Sequence, residues 1–221
     1  MKIKSLGILG LGSRSTIFYI KELNRLYHQK RAGYSTCPFK LWNANFDMVN
    51  SLLPETSEKL EYLVKDYFIE LEKLNVDAVL IPNITLHQTI DKLGGLPIII
   101  HPLHLTVARL NEHEISEIVL FGSLYMMESD YLKAVFGESF ITIILPSKRD
   151  RIIIEAVRKH IYWETETQEL LKDYVAIIEK YTANHAVVLA CTELSVAWNY
   201  NNSSVFDMSR IQLENAVKNM E

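Results

Sequence analysis

Short apolar runs alternate along the whole chain with segments of helical period, and this alternation limits the fold more than any other feature. Strand-like runs fall at 4–9, 40–45, 78–81, 98–100, 117–121, 140–144, 186–189 and 205–206. Helical patterns lie between them. The clearest, over 57–74, places Leu60, Leu63, Val64, Tyr67, Phe68, Leu71 and Leu74 on one face, the i, i+3, i+4, i+7 spacing of an amphipathic helix. A second, over 164–181, does the same through Leu170, Leu171, Tyr174, Ile177 and Ile178. Strand–helix alternation of this kind predicts an α/β protein with mainly parallel sheets covered by helices on both faces.

The two halves resemble each other. Leu6-Gly7-Ile8-Leu9-Gly10 ends one strand, and Ile118-Val119-Leu120-Phe121-Gly122 ends another 112 positions later (122 − 10). Tyr19 and Tyr131 keep the same offset. The expectation is two similar three-layer lobes, related by a pseudo-twofold axis, with an active site in the cleft between them. The first lobe would hold 1–100 plus 206–221, and the second 101–205.

Composition excludes several classes. The chain has 221 residues, of which 48% are apolar and 23% charged, as in an ordinary globular protein. The net charge of −4, without a basic block, argues against a nucleic-acid partner. No apolar run is long enough to span a bilayer, and the first residues lead straight into a strand rather than a leader, so a cytoplasmic protein is expected. Two cysteines, Cys37 and Cys191, make no disulfide framework. Cys37 reads as an ordinary free thiol.

Chemistry in α/β sheets gathers at the carboxyl ends of strands, and three such ends carry polar turns here. Gly10-Leu11-Gly12-Ser13-Arg14-Ser15-Thr16 follows the first strand and opens a helix over 16–28. A dinucleotide fingerprint would need a third glycine where Ser15 stands. The turn is therefore either an anion site at a helix start or a tight turn with Ser13 or Ser15 as helix cap. Asn83-Ile84-Thr85-Leu86-His87 follows the third strand, and Ala190-Cys191-Thr192-Glu193-Leu194 follows the seventh, 108 positions later (191 − 83). Cys191 precedes a short helix over 193–198, whose N-terminus stabilises a thiolate and lowers the thiol pKa; Glu193 beside it works the other way. The alternative is a buried, inert cysteine. Asn83 donates and accepts hydrogen bonds but cannot abstract a proton. His87 reads as a residue that orients its turn. His101-Pro102-Leu103-His104 has no Cys or carboxylate partner close in sequence, so no metal is expected. Arg158 and Lys159 read as the basic end of a helix, either solvated or with one of them holding a substrate carboxylate.

Together these residues resemble the aspartate/glutamate racemase family of cofactor-independent amino-acid racemases. Gly7-Ile8-Leu9-Gly10 and Ser15-Thr16-Ile17-Phe18-Tyr19 are similar to that family's glycine-rich first turn, here one residue shorter and with Leu11 replacing a glycine. Thr85 and His87 match the end of its first catalytic turn, but Asn83 stands where the family has Cys or Thr, and Ile84 where it has Asn. Ala190-Cys191-Thr192-Glu193 keeps its second turn. Gly122-Ser123 with Met127, Lys159, and Phe206-Asp207 extend the likeness over nearly the full length. The resemblance implies two bases on opposite faces of an α-carbon, no cofactor, no pyridoxal phosphate, a small acidic amino acid or dicarboxylate as substrate, and a homodimer. It implies that Cys191 is one base and that Asn83 replaces the other. Ser13, Ser15, Thr85, Ser123, Lys159, Thr192 and Glu193 become candidate substrate contacts, with His87 orienting.

Three functions fit such a site. The first is a racemase-family isomerase whose two-base racemisation is impaired by Asn83. The second is a one-base decarboxylase or isomerase of the same superfamily. The third is a catalytically silent binder of an acidic amino acid. A nucleotide-binding oxidoreductase is a distant fourth.

Overall fold

The computed structural model describes residues 2–94 and 96–221; Met1 and Gly95, both within the expected first lobe, lie outside the described residues. The chain forms two compact units, Met1–His101 with Gln212–Glu221, and Pro102–Ile211.

The first unit carries β1 (Leu6–Gly10), α1 (Ser13–Arg31), β2 (Phe39–Asn43), α2 (Phe46–Asn50), α3 (Glu58–Glu72), β3 (Ala78–Leu80), α4 (His87–Ile90) and β4 (Ile98–Ile99). The second carries α5 (Pro102–Glu112), β5 (Glu117–Phe121), α6 (Leu124–Glu128), α7 (Asp130–Glu138), β6 (Thr142–Ile144), α8 (Lys148–Trp163), α9 (Gln168–Thr182), β7 (Ala186–Leu189), α10 (Thr192–Ala197) and β8 (Val205–Asp207). The last helix, α11 (Met208–Asn219), begins in the second unit and ends in the first.

Each unit has one four-stranded sheet, in the orders β2-β1-β3-β4 and β6-β5-β7-β8, and every pairing is parallel. The orders are the same when the second set is renumbered from its own start, which is the two-lobed α/β architecture that the repeated strand ends predict. The central strands are apolar where both faces are covered: β1 is buried along its whole length, as are Ile118–Phe121 of β5, which opens on the exposed Glu117. At the end of β1 a side chain on Gly10 would run into the side-chain amide oxygen of Asn43 on β2, so Asn43 would have to move to accommodate it.

The predicted helix over 57–74 is α3. Ser57 accepts from the Leu60 backbone N–H at 3.2 Å, and Leu60, Val64, Tyr67, Phe68 and Leu71 are buried. Each such side chain stabilises the fold by about 1.5–3 kcal/mol relative to its exposed state. The helix predicted over 164–181 starts later. Glu164 takes a left-handed conformation (φ 55°) that ends α8, and Thr167 then caps α9 by accepting from Leu170 N at 3.2 Å. The apolar period begins only at Leu170, and the caps set the boundary.

The chain returns to the first unit later than 206. Val205–Asp207 continues the second sheet, with Val188 opposite Phe206 and Leu189 opposite Asp207, so it stays with the second unit. Among the described residues no helix is long and apolar enough to cross a membrane.

Candidate active site

The second unit builds its polar turn where β7 leaves the sheet. Ala190 N–H donates to Phe121 O at 2.7 Å, and Cys191 is still extended (φ −154°, ψ 128°) as the residue before α10. Its backbone carbonyl accepts the first bond of that helix, from Ser195 N at 3.1 Å. The side chain does not cap the helix. Instead Sγ donates to Glu193 Oε2 at 3.0 Å.

This geometry reverses the expected pKa direction. Cys191 is only 9% exposed. Burial, and then the charge of Glu193 and its hydrogen bond, push the thiol well above its ordinary value; Arg158 and the Leu194 N–H pull it back less. Cys191 is therefore a protonated thiol at neutral pH, not a thiolate. The hydroxyl of Thr192, next in the chain, is buried with no hydrogen-bond partner.

The cation beside Cys191 is Arg158. Its Nε and Nη2 donate to Glu155 at 3.0 and 2.5 Å, a side-on pair that fixes the guanidinium plane. Glu155 raises the Arg158 pKa most; burial opposes this, and Cys191 and Glu193 add to the rise. Burial opposes ionisation of Glu155, but Arg158, the Leu124 N–H at 3.3 Å and Lys159 outweigh it and hold the carboxyl below its usual range. Lys159 does not share this position: its side chain is 62% exposed and lies 3.7 Å from Glu155. Nor do the two residues end their helix, which runs on to Trp163. Ser123 caps α6, its hydroxyl accepting from Met126 N at 3.2 Å. The second unit thus gathers Cys191, Thr192, Glu193 and Arg158, with Ser123 on the short turn whose next N–H meets Glu155.

The corresponding turn of the first unit is closed by its own hydrogen bonds. Asn83 N–H donates to Ile81 O at 2.8 Å, and Asn83 Oδ1 accepts from Leu86 N at 2.9 Å. His87 is 1% exposed, with Nδ1 2.9 Å from Asn83 O. That contact assigns the proton to Nδ1 and leaves Nε2, which has no hydrogen-bond partner, as a bare acceptor. Burial and then the neighbouring His101 drive the His87 pKa down to about 3, so the ring is neutral. The rings of His87 and His101 meet edge to face, centroids 4.7 Å apart. A carboxylate does stand beside His101, contrary to the expectation for the His101-Pro102-Leu103-His104 segment: Asp91 Oδ1 is 3.2 Å from His101 Nε2. Sequence distance hid it, because α4 folds Asp91 back toward β4. Thr85 is half-buried on the same turn.

Neither serine of the glycine-rich turn caps α1. Gly12 holds the cap position without a side-chain bond, Ser13 is exposed as the first helical residue, and Ser15 is buried inside the first turn. Thr16 does the closing instead, its hydroxyl accepting from Leu11 N at 3.1 Å.

The Glu155–Arg158 pair escaped the sequence reading of the site. Its signal was an acid three residues before an arginine on one helical face, and only packing shows which of two adjacent cations faces the cysteine.

The fold is that of solved Asp/Glu racemases. A candidate Asp/Glu racemase from Yersinia pestis superposes with a TM-score of 0.80 at 22% identity, over 97% of this chain and 98% of that one. An aspartate racemase homologue from Pyrococcus horikoshii gives 0.80 at 17% identity, over 97% and 98%. Picrophilus torridus aspartate racemase gives 0.76 at 16% identity, over 97% and 94%. No protein-family model and no curated protein sequence matches the chain.

Proposed function

We propose that the protein is an isomerase of the aspartate/glutamate racemase kind, which moves a proton at the α-carbon of an acidic amino acid without a cofactor. The observation that carries this reading is the Cys191 thiol at the carboxyl end of β7, hydrogen-bonded to Glu193 and electrostatically coupled to Arg158. Likeness of fold to aspartate racemases supports it.

Arg158 is the proposed anchor for a substrate carboxylate. Glu155 occupies its Nε and Nη2 edge, which leaves Nη1 to bind the ligand. Thr192 Oγ1 is a second proposed contact, and Ser13, Ser15, Thr85 and Ser123 remain candidates on the neighbouring turns. In the resting site Cys191 acts as the acid. The carbanion left when the minor thiolate form has removed the α-proton takes a proton back from sulfur on the same face once the S–H has exchanged with solvent; a new C–H bond forms, and the S–H electron pair stays behind as thiolate beside Arg158. In the reverse direction the thiolate removes that proton and the electron pair passes into the carboxylate-conjugated carbanion. Asn83 stands, by the sequence resemblance, where relatives carry the other base, and an amide cannot serve as one. Exchange on one face without free racemisation follows. A homodimer, as in the resembling family, belongs to the same proposal.

Proton NMR in D₂O tests it. One enantiomer of aspartate or glutamate is expected to exchange its α-proton with retention of handedness. Asn83→Cys is expected to convert that exchange into two-way racemisation. Binding of acidic amino acids and malonates with no exchange in any of them would sink the enzymatic reading and leave the silent binder. Loss of CO₂ from a malonate would select the one-thiol decarboxylase.

A further inference from the structure

Ser195, Asp207, Ser209 and Arg210 form a buried polar knot one helical turn beyond Cys191, and the proposed chemistry uses none of them. Asp207 ends β8, opposite Leu189 of β7. Its Oδ1 accepts from Ser195 Oγ at 2.7 Å, from Ser209 N at 3.0 Å and from Arg210 N at 3.2 Å. Its Oδ2 pairs with Arg210 Nη1, which also donates to the backbone oxygen of Ser195 at 3.0 Å. Ser195 Oγ lies 3.2 Å from Ser209 Oγ. Ser195 and Ser209 are fully buried, and Asp207 nearly so.

Capping of α11 accounts for only part of this. It explains why Asp207 meets the N–H groups of Ser209 and Arg210. It does not explain why both the hydroxyl and the carbonyl of Ser195 are gripped from outside their own helix. Ser195 is the residue whose N–H binds the Cys191 carbonyl, and its hydroxyl lies 3.3 Å from that same oxygen. Helix α10 has six residues, too few to hold a helical turn by itself. Its geometry, and with it the direction of the Cys191 side chain, must be set by what grips it.

We propose that Asp207, acting through Ser195 and Arg210, is a positioning residue that fixes the Cys191 sulfur against Glu193. The groups that face the thiol are Glu193 from its own helix, Arg158 from α8, Tyr174 from α9, whose hydroxyl donates to Leu194 O at 3.3 Å, and the Leu194 N–H. Asp207 reaches the sulfur only through the Ser195 turn. Release of that turn loosens the 3.0 Å contact between Sγ and Glu193 and lets the thiol ionise more readily. The inference rests on Cys191 being the working group, but its test needs no turnover.

The test is the pH profile of Cys191 alkylation by iodoacetamide, read peptide by peptide so that Cys37 serves as an internal reference. In Asp207→Asn and in Ser195→Ala the midpoint is expected to fall by about one pH unit, so that Cys191 reacts about tenfold faster below the wild-type midpoint. Ile118→Val, a core change in β5, is expected to lower stability without moving the profile. A Cys191 profile that superimposes on wild type in a folded Asp207→Asn or Ser195→Ala protein overturns the proposal. If Asp207→Asn does not fold, Ser195→Ala decides alone. Absence of α-proton exchange in the wild-type protein sinks the proposed function without touching this result, and an unmoved profile sinks this inference without touching exchange.

Discussion

The Asn83 turn and the Cys191 turn follow equivalent strands, the third member in the order of each sheet, yet they treat their leading side chain in opposite ways. Asn83 turns inward on its own loop, where its oxygen caps the Leu86 N–H and its carbonyl takes the His87 proton. Cys191 makes no cap. Its sulfur is left to a carboxylate two residues on, and an arginine from a separate helix supplies the compensating charge. The same strand end thus serves as a self-closed turn in one unit and as a charged cluster in the other. What separates them is whether the side chain satisfies its own backbone.

The largest effect that sharpens this comparison is expected from Cys191→Ala. A positioned proton-transfer group accounts for about 10²–10⁴ in rate, so α-proton exchange in D₂O should fall by at least two orders of magnitude while ligand binding persists. Exchange that survives at the wild-type rate would move the chemistry away from the sulfur altogether.

Glu193→Gln should have an intermediate effect. Burial raises the thiol pKa most, and Glu193 raises it next through its charge and its hydrogen bond. Loss of the charge lowers the folded-state value without bringing it to that of a free thiol. The alkylation midpoint of Cys191 is expected to move down by about one unit, about tenfold in rate at fixed pH. The stability consequence has a definite sign. A thiol held protonated in the fold contributes stability that is complete below its unfolded pKa, about 8.5, and is lost as pH rises through the folded value. The variant should therefore lose less stability in total than wild type on the alkaline side of about pH 8.5, as measured by urea unfolding across that range.

How much of this was legible in the sequence depends on how many partners a residue has outside its own segment. The bounds of β5 and β7 read directly from the chain, because a strand covered on both faces shows a run of apolar residues, Ile118–Phe121 behind the exposed Glu117 in β5 and Ala186–Leu189 in β7. The edge strand β6 was expected to begin at 140, but Phe140 is exposed with a positive φ of 59°, so the strand starts only at Thr142. An apolar residue in a turn looks like a strand residue until its backbone is seen. In the candidate site, the Ala190–Leu194 turn was legible as chemistry, but the protonation state of Cys191 was not. The sequence shows a short helix that would favour a thiolate; it does not show the burial that outweighs that helix. Arg158 and Lys159 could not be told apart, since one residue of rotation separates the face toward Cys191 from solvent. Ser195 and Asp207 meet through the register of β8, which no local pattern announces.

The smallest expected effect comes from Asn83→Ala, and it bears most directly on the contrast between the two turns. If the Asn83 side chain works for its own loop, its removal costs what a lost cap costs, about 1 kcal/mol, seen as a lower urea midpoint with unchanged slope. Exchange through Cys191 should then stay within about twofold of wild type. The backbone oxygen that receives the His87 proton survives the substitution, so His87 should stay neutral and buried. A loss of exchange far larger than the loss of stability would mean that Asn83 holds a water or a substrate group in the reaction. The first unit's turn would then be a working partner of the Cys191 turn, and the division between a self-closed loop and a charged cluster would fail.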